Sequence, residues 1–410
     1  MKNNNQYFLL LPSKSTADPA ELVYLLNKHS GEPALPIVKV GDQVKAGQLI
    51  ARADGNNSAN VHSSVSGKVT KIDIKGVLSS FKEPAIFINN DGNYSNILAK
   101  PVKSIKDTLP EELIQRIFEA GIVSSDSKRK PMHLRLLVKR KINTIIVNAT
   151  ESEYLVTSTN RIIVEQAKYL FSGLDALIEI FKPKDYIIAL QKYMKGAHHN
   201  LRNFGIRYKQ LKFVLLADKY CNGLDEVLVR QIIKKKSLAS FEDMGIFVID
   251  ARTLFQIGYS LLTGVPNNEA MVTVAGDFNT KRNNIRVKVG APLFSIVQEY
   301  FLGQEVPKAS AYKVVCDGAM RGCLHEDLSY PVLKSTSSVL MLKSVHYQEE
   351  PCVRCGKCVD VCPMYLIPQQ AAEKGLLADE CNECGLCSYY CPSRIDLVQK
   401  ISKQKRMRES

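Results

Sequence analysis

The sequence predicts a multidomain chain of α/β and α+β character, and three observations carry that prediction. Short alternating strand patterns with Gly-Asp turns crowd the N-terminal part, helical and strand-like runs take turns from Glu111 to Thr263, and eight of the eleven cysteines fall between Cys352 and Cys391. A chain of 410 residues is too long for one core and divides into about two to four domains. With 45% hydrophobic and 23% charged residues the composition is ordinary for a globular protein, which argues against disorder. The net charge of +14 lies in scattered runs, Lys128-Arg129-Lys130, Lys139-Arg140-Lys141, Lys234-Lys235-Lys236 and the tail from Lys403 to Arg408. Such runs are read first as solvated surface and second as a face for an anionic membrane or an acidic redox partner; with no recognition motif beside them, nucleic acid is not an expected partner. The apolar stretch Phe8 to Leu11 is too short for a signal peptide, and no run reaches the roughly 18 apolar residues of a transmembrane helix. The expectation is a chain with no transmembrane segment of its own, meeting a membrane only through other subunits.

In residues 1–100, Leu35 to Val44 alternates into a Gly41-Asp42 turn, Ala46 to Ala51 begins the next strand, and Val61 to Ile72 closes the unit. Together these resemble a barrel-sandwich hybrid, the fold of biotinyl and lipoyl carriers. A carrier presents a lysine between methionines at its hairpin tip, whereas this tip reads Asp54-Gly55-Asn56-Asn57-Ser58, so a docking module is expected. His62 is read as a structural histidine before a ligand.

Across residues 101–265, helical patterns (Glu111 to Ala120, Asn160 to Phe171, Leu224 to Lys234, Thr253 to Leu262) alternate with apolar strands (Thr144 to Asn148, Ala176 to Phe181, Phe213 to Ala217, Gly245 to Ile249). That rhythm predicts an α/β sheet. Within residues 266–345 the segment Val272 to Gly303 reads as a small β-grasp unit: a strand through Gly276, a second at Ile285 to Val289, and a helix from Pro292 to Tyr300.

Residues 346–410 hold the chemistry. Two copies of one pattern stand in series, Cys352-x2-Cys355-x2-Cys358-x3-Cys362-Pro363 and Cys381-x2-Cys384-x2-Cys387-x3-Cys391-Pro392. Three thiolates spaced by two residues wrap one corner of a cubane, while the fourth, past the proline, reaches the other cluster. The rule assigns Cys352, Cys355, Cys358 and Cys391 to one [4Fe–4S] cluster and Cys362, Cys381, Cys384 and Cys387 to a second. Gly356 and Gly385 stand where backbone must come close to the sulfides. Paired zinc sites are the alternative, disfavoured by the third cysteine and the Cys-Pro ending in both copies. A helix is expected over Gln369 to Leu377, as in the helical two-cluster ferredoxin modules of multi-subunit oxidoreductases. Cys221, Cys316 and Cys323 are isolated in sequence and read as buried inert thiols.

The GDxVxxGQxIA strand pair, the VHxSVSGxV run and the order of the later modules resemble the RnfC family over nearly the whole chain. The resemblance implies a flavodehydrogenase-like middle domain, similar to the flavin subunit of respiratory NADH dehydrogenase, followed by β-grasp and ferredoxin modules. It implies a peripheral electron-transfer subunit of an ion-translocating oxidoreductase, a translocase-class enzyme, on the cytoplasmic face of the bacterial cell membrane. Other membrane-complex subunits, with NADH or ferredoxin, are its implied partners. The family's flavin and nicotinamide pocket maps onto Asn148, Glu151 and Glu153, while Lys219-Tyr220-Cys221-Asn222-Gly223 partly keeps a later element. The glycine-rich flavin loop is replaced by Ser124-Ser125-Asp126-Ser127-Lys128-Arg129-Lys130-Pro131-Met132-His133. Each added Cβ occupies space the cofactor needs, which counts against FMN. Either phosphate is held by Lys128 to Lys130, or the fold persists without nucleotide, electrons arrive from another protein, and Glu151 and Glu153 are surface charges. Two other classes stay open: a soluble reductase resembling the cobalamin reductase of microcompartments, and a non-catalytic docking subunit.

Overall fold

Alternating apolar positions in the N-terminal third fold as short strands, antiparallel except for the first. In the computed structural model, which describes residues 13–16, 18–55, 57–76, 82–126, 128–234, 240–278, 282–301, 311–345 and 347–409, these are β1 (Lys14–Ser15), β2 (Glu21–Leu25), β3 (Leu35–Pro36), β4 (Gln43–Val44), β5 (Leu49–Arg52), β6 (Val61–His62), β7 (Gly67–Asp73) and β8 (Ala85–Asn90). Phe8 to Leu11, Asn56, Ser127, Lys235, Lys236 and Gly303 lie outside the described residues. One sheet runs β2-β8-β7-β4 and a second β3-β5-β6, and they enclose Leu22, Tyr24, Ile50, Val69, Ile86 and Ile88. The β3-to-β4 corner turns at Gly41, φ 98°, where Asp42 accepts from the Lys39 amide at 2.7 Å.

The middle of the chain is a parallel α/β layer. It comprises α1 (Pro110–Glu119), α2 (Met132–Leu136), β9 (Thr144–Asn148), α3 (Ser158–Phe181), β10 (Asp185–Gln191), α4 (Lys195–Gly205), β11 (Leu211–Leu216), α5 (Asp225–Ile233), β12 (Ile246–Asp250) and α6 (Ala251–Thr263). Strand order is β11-β10-β9-β12, every pair parallel. One face packs Ile145, Val147, Phe171, Leu174 and Leu254, the other Ile146, Ala189, Leu228 and Val248. Burial on both faces explains why the strands read as continuous apolar runs.

The expected strand at Ala176 to Phe181 is a correction: these residues are the last turns of α3, and the neighbouring strand is β10, which the sequence pattern does not single out, nor does it single out α4. The run Ala-Leu-Ile-Glu-Ile-Phe fits either state by composition. The apolar set Phe171, Leu174, Leu177, Ile178 and Phe181 has helical spacing, and α6 supplies the surface it packs on. Contact between α3 and α6 is backbone-close, since a Cβ on Gly258 would lie 1.9 Å from the Tyr169 carbonyl oxygen.

Beyond α6 come β13 (Glu269–Gly276), β14 (Asn283–Lys288), α7 (Leu293–Tyr300), β15 (Tyr312–Cys316), β16 (Cys323–His325) and β17 (Ser338–Lys343). They form a mixed sheet of order β1-β14-β13-β17-β15-β16, in which β17 inserts parallel beside β13. Strand β1 is the parallel partner of β14, so the start of the described chain completes this sheet rather than the N-terminal one. The cysteine-rich end is built from short helices α8 (Lys357–Asp360), α9 (Pro368–Lys374) and α10 (Leu386–Tyr389), closed by α11 (Leu397–Glu409). Helix α9 ends at Lys374, before the expected Leu377, because Gly375 takes φ 68° and returns its amide to Ala371.

Candidate functional site

The two cysteine loops share one backbone. Positive φ recurs at Arg354 and Glu383, at Gly356 and Gly385, and at Tyr365 and Arg394, each pair offset by 29 residues as the cysteines are. In each loop the amide two residues beyond the first cysteine points at its sulfur, Arg354 to Cys352 and Glu383 to Cys381, both at 3.4 Å. The Leu366 amide does the same to Cys362 at 3.4 Å. Amides aimed at sulfur stabilise thiolates carrying cluster charge.

The second group converges. Burial pushes the Cys384 thiol up to about 11, with Cys381 and Cys362 adding repulsion, and the Cys387 thiol up to about 12, with Cys381, Cys384 and Cys362 adding theirs. Cys362, from the first copy, therefore sits among the three thiols of the second. Burial makes Cys381, Cys384 and Cys387 resist ionising, and a polynuclear iron centre would supply the positive charge that lets them. Around the first group, Cys358 and Cys391 pack on one small core with Ala371, Cys387 and Ile401. The flanks of Cys352 and Cys391 are tied by the Glu350 amide to the Ser393 carbonyl at 3.0 Å and by the Ser393 hydroxyl to the Pro351 carbonyl at 2.9 Å. Cys352 and Cys355 are exposed, whereas Cys384 and Cys387 are buried. The donor set and backbone thus fit two clusters with crosswise fourth ligands.

Cys387 is buried in its own module beside Ala371, Ile395 and Ile401, whereas the α/β domain covers Cys384. Leu224, just before α5, and Val227 of α5 pack on Cys384, with Met364 and Leu386 alongside. The Tyr220 hydroxyl reaches the Cys384 carbonyl at 2.8 Å and Glu153 Oε1 at 3.2 Å, and the Met320 amide donates to Glu153 Oε2 at 3.1 Å. Cys221 lies against the same patch, close enough to Cys384 to feel its charge. Nothing in the sequence marked that contact, because Cys221 and Cys384 meet only once the two modules dock. Cys316 and Cys323 are likewise not isolated: they stand opposite one another across β15 and β16, Cys316 buried and Cys323 exposed.

Strand order reverses between β9 and β12, and the carboxyl ends of strands at such a point are where ligands of open α/β sheets bind. Asn148 is there, but its amide is spent inside the fold: Nδ2 donates to the Gly223 carbonyl at 2.8 Å and to Asp225 at 2.7 Å, and Oδ1 accepts from the Thr150 hydroxyl at 2.6 Å. Glu151 is not the surface charge that a nucleotide-free crevice would leave. It is buried, it accepts from the Asn160 amide in the first turn of α3 at 2.7 Å, and burial raises its pKa to about 7. Glu153 is half-buried and raised to about 7 by burial. The replacement loop is laced to itself. Amides of Lys128 and Arg129 donate to Asp126 Oδ1 at 2.9 and 3.1 Å, that of Lys130 to Ser124 Oγ at 2.9 Å, and that of Ser125 to Thr253 Oγ1 at 2.8 Å. A Cβ on Gly223 would meet Thr150 Oγ1 at 2.6 Å, so the chain's own side chains fill the close-approach space. A flavin phosphate would find these donors already engaged.

His62 is buried with Nδ1 unpartnered, and desolvation lowers its pKa to about 3, which keeps it neutral. No group of three or more His, Cys, Asp or Glu suited to a single metal ion occurs among the described residues.

Family models match three segments: the RnfC barrel sandwich hybrid domain over residues 10–93, the Nuo51 FMN-binding domain over 117–259, and the 4Fe-4S dicluster domain over 345–395. The chain is 30% identical over 390 residues to an ion-translocating oxidoreductase complex subunit of Buchnera aphidicola, covering 90% of this chain and 80% of that one. It is 29% identical over 363 residues to a subunit of the Na(+)-translocating ferredoxin:NAD(+) oxidoreductase complex of Acetobacterium woodii, covering 87% and 81%. Among solved structures, a chain of an NAD+-reducing [NiFe]-hydrogenase in the air-oxidized state matches in fold with TM-score 0.51 at 15% identity, over 75% of this chain and 55% of that one.

Proposed function

Because the chain belongs to the RnfC family of ion-translocating oxidoreductase subunits, we propose that it is the peripheral iron-sulfur subunit of such a complex and passes single electrons between a protein donor and membrane-bound partners. The observation that carries this reading is the convergence of Cys362 on Cys381, Cys384 and Cys387, joined by backbone amides aimed at sulfur. When bound, two [4Fe–4S] clusters each accept and release one electron without breaking a bond. Cys352, Cys355, Cys358 and Cys391 would hold one and Cys362, Cys381, Cys384 and Cys387 the other. Tyr220, Leu224 and Val227 keep water from Cys384, Leu397 and Ile401 from Cys387, and the exposed Cys352 and Cys355 leave the first open to a partner.

Relatives named for ferredoxin:NAD(+) oxidoreductase complexes favour ferredoxin or NAD(H) at the complex level. In this chain the laced Ser124 to Lys130 loop and the spent Asn148 amide do not fit a flavin, so the α/β domain is read as a docking surface for the second cluster. No helix among the described residues is long and apolar enough to cross a membrane, and attachment on the cytoplasmic face through other subunits follows the family. We assign four modules: residues 1–100 a barrel-sandwich hybrid, 101–265 flavodehydrogenase-like, 266–345 a β-grasp, supported by the parallel insertion of β17 beside β13, and 346–410 a two-cluster ferredoxin. The hairpin tip of the first module, with Asn57 packed on Gly31 and Asn60 donating to the Phe118 carbonyl at 3.3 Å, supports docking over carrying a cofactor.

Anaerobic purification with iron, sulfide and flavin quantified, followed by NADH titration, tests the reading. About eight irons per chain, no stoichiometric flavin and no direct bleaching by NADH are expected. Zinc in place of iron, or clearly fewer irons, would overturn it.

A further inference from the structure

The two cysteine loops are near copies, so a difference between them acts as an internal control on the charge each cluster meets. Residue Glu383 of the second loop occupies the place held by Arg354 in the first, which puts an anion where the other loop has a cation. Near Glu383 comes Lys405, from α11. Its Nζ donates to the Cys381 carbonyl at 2.6 Å and lies 2.9 Å from Glu383 Oε1. Its side chain is 20% exposed against 41% for Glu383, so water screens the lysine less than its partner. The helix cannot swing away: Leu397 and Ile401 are buried beside Cys387, Gln404 donates to the Ala372 carbonyl at 3.3 Å, and Arg408 pairs with Asp379 at 3.1 Å. The first loop has no equivalent, since the residue 29 positions before Lys405 is the exposed Leu376.

Resting on the ligand assignment proposed above, we infer that Lys405 is a positioning and charge-compensating residue for the second cluster, raising its reduction potential selectively. A four-cysteine cubane gains one negative charge on reduction, and burial penalises that charge. Cys384 and Cys387 are buried, so the second cluster alone would be the harder one to reduce. A fixed ammonium at the carbonyl of one ligand opposes that penalty. The balance with Glu383 favours the cation by geometry: Lys405 is held on the Cys381 carbonyl itself, while Glu383 is the more exposed of the pair.

The test is potentiometric titration of the anaerobic full-length protein with dithionite as reductant, each cluster's single-electron wave followed by electron paramagnetic resonance, with iron counted for every variant. Lys405→Gln keeps a donor for the Cys381 carbonyl and removes the charge. One wave is expected to move to more negative potential while the other stays, Lys405→Arg to restore it, and Glu383→Gln to move the same wave the opposite way. Unmoved waves with full iron, equal movement of both, or loss of one cluster's iron in Lys405→Gln would overturn the proposal, the last by making Lys405 a structural brace. Wild-type protein lacking about eight irons would instead refute the ligand assignment.

Discussion

Lys334 shows how much one half-buried side chain decides here. Its Nζ donates to the carbonyls of Asn60 and Gly121, each at 2.7 Å, joining the β13–β17 sheet region to the N-terminal sandwich and to the end of α1. Burial disfavours the ammonium and lowers its pKa from 10.5 to about 7. Between those values the unfolded chain holds a proton that the folded chain lacks, so stability rises with pH from about 7 to about 10.5 and lies flat at its lower level below. We expect the urea midpoint to climb between about pH 7 and pH 9, and Lys334→Met to lose up to about 1.4 kcal/mol of that gain per pH unit. Equal slopes in the two proteins would dismiss the lysine as the cause. At the cysteines, Cys355→Ser should cut iron from about eight to about four per chain, since its cluster shares no ligand with the other. That a two-cluster iron-sulfur segment lies near this end was legible in the cysteine pattern, because ligand spacing is a local property. The roles of Glu151 and Glu153 were not: Glu151 caps the start of α3 through the Asn160 amide, and Glu153 is engaged by Tyr220 and Met320, far along the chain.

At the scale of elements, α3 and α6 pack through small residues. Gly258→Val would drive its Cβ into the Tyr169 carbonyl, and overpacking of this kind costs about 1–3 kcal/mol or more, measurable as a lower midpoint in chemical denaturation. An unchanged midpoint would mean the helices can part at no cost. Most strands and helices of the middle domain were readable from periodicity. The exceptions are α2, β10 and α4, which no pattern singled out, and Ala176 to Phe181, where a short apolar run carries no period long enough to choose between states and the face that α6 offers made the choice. Helix α9 stopped early for a local reason that was visible in principle, Gly375 in the left-handed region.

For the whole molecule, the decisive contact is between the cysteine module and the α/β domain. Tyr220→Phe removes the hydroxyl that joins Glu153 to the Cys384 carbonyl, and we expect faster proteolysis in the segment 344–350 with iron content retained. Identical cleavage rates would show that apolar contacts alone hold the module. Module order, the paired cysteine loops and the absence of a glycine cradle were determined by sequence, because each depends on residues close together in the chain. Which cysteines are buried, that Lys405 lies on the Cys381 carbonyl, and what holds Asn148 and the Ser124 to Lys130 loop were decided only by tertiary structure. Burial and charge depend on what folds back over a residue, and α5, α11 and the Met320 loop arrive from positions that no local spacing connects to the cysteines they cover.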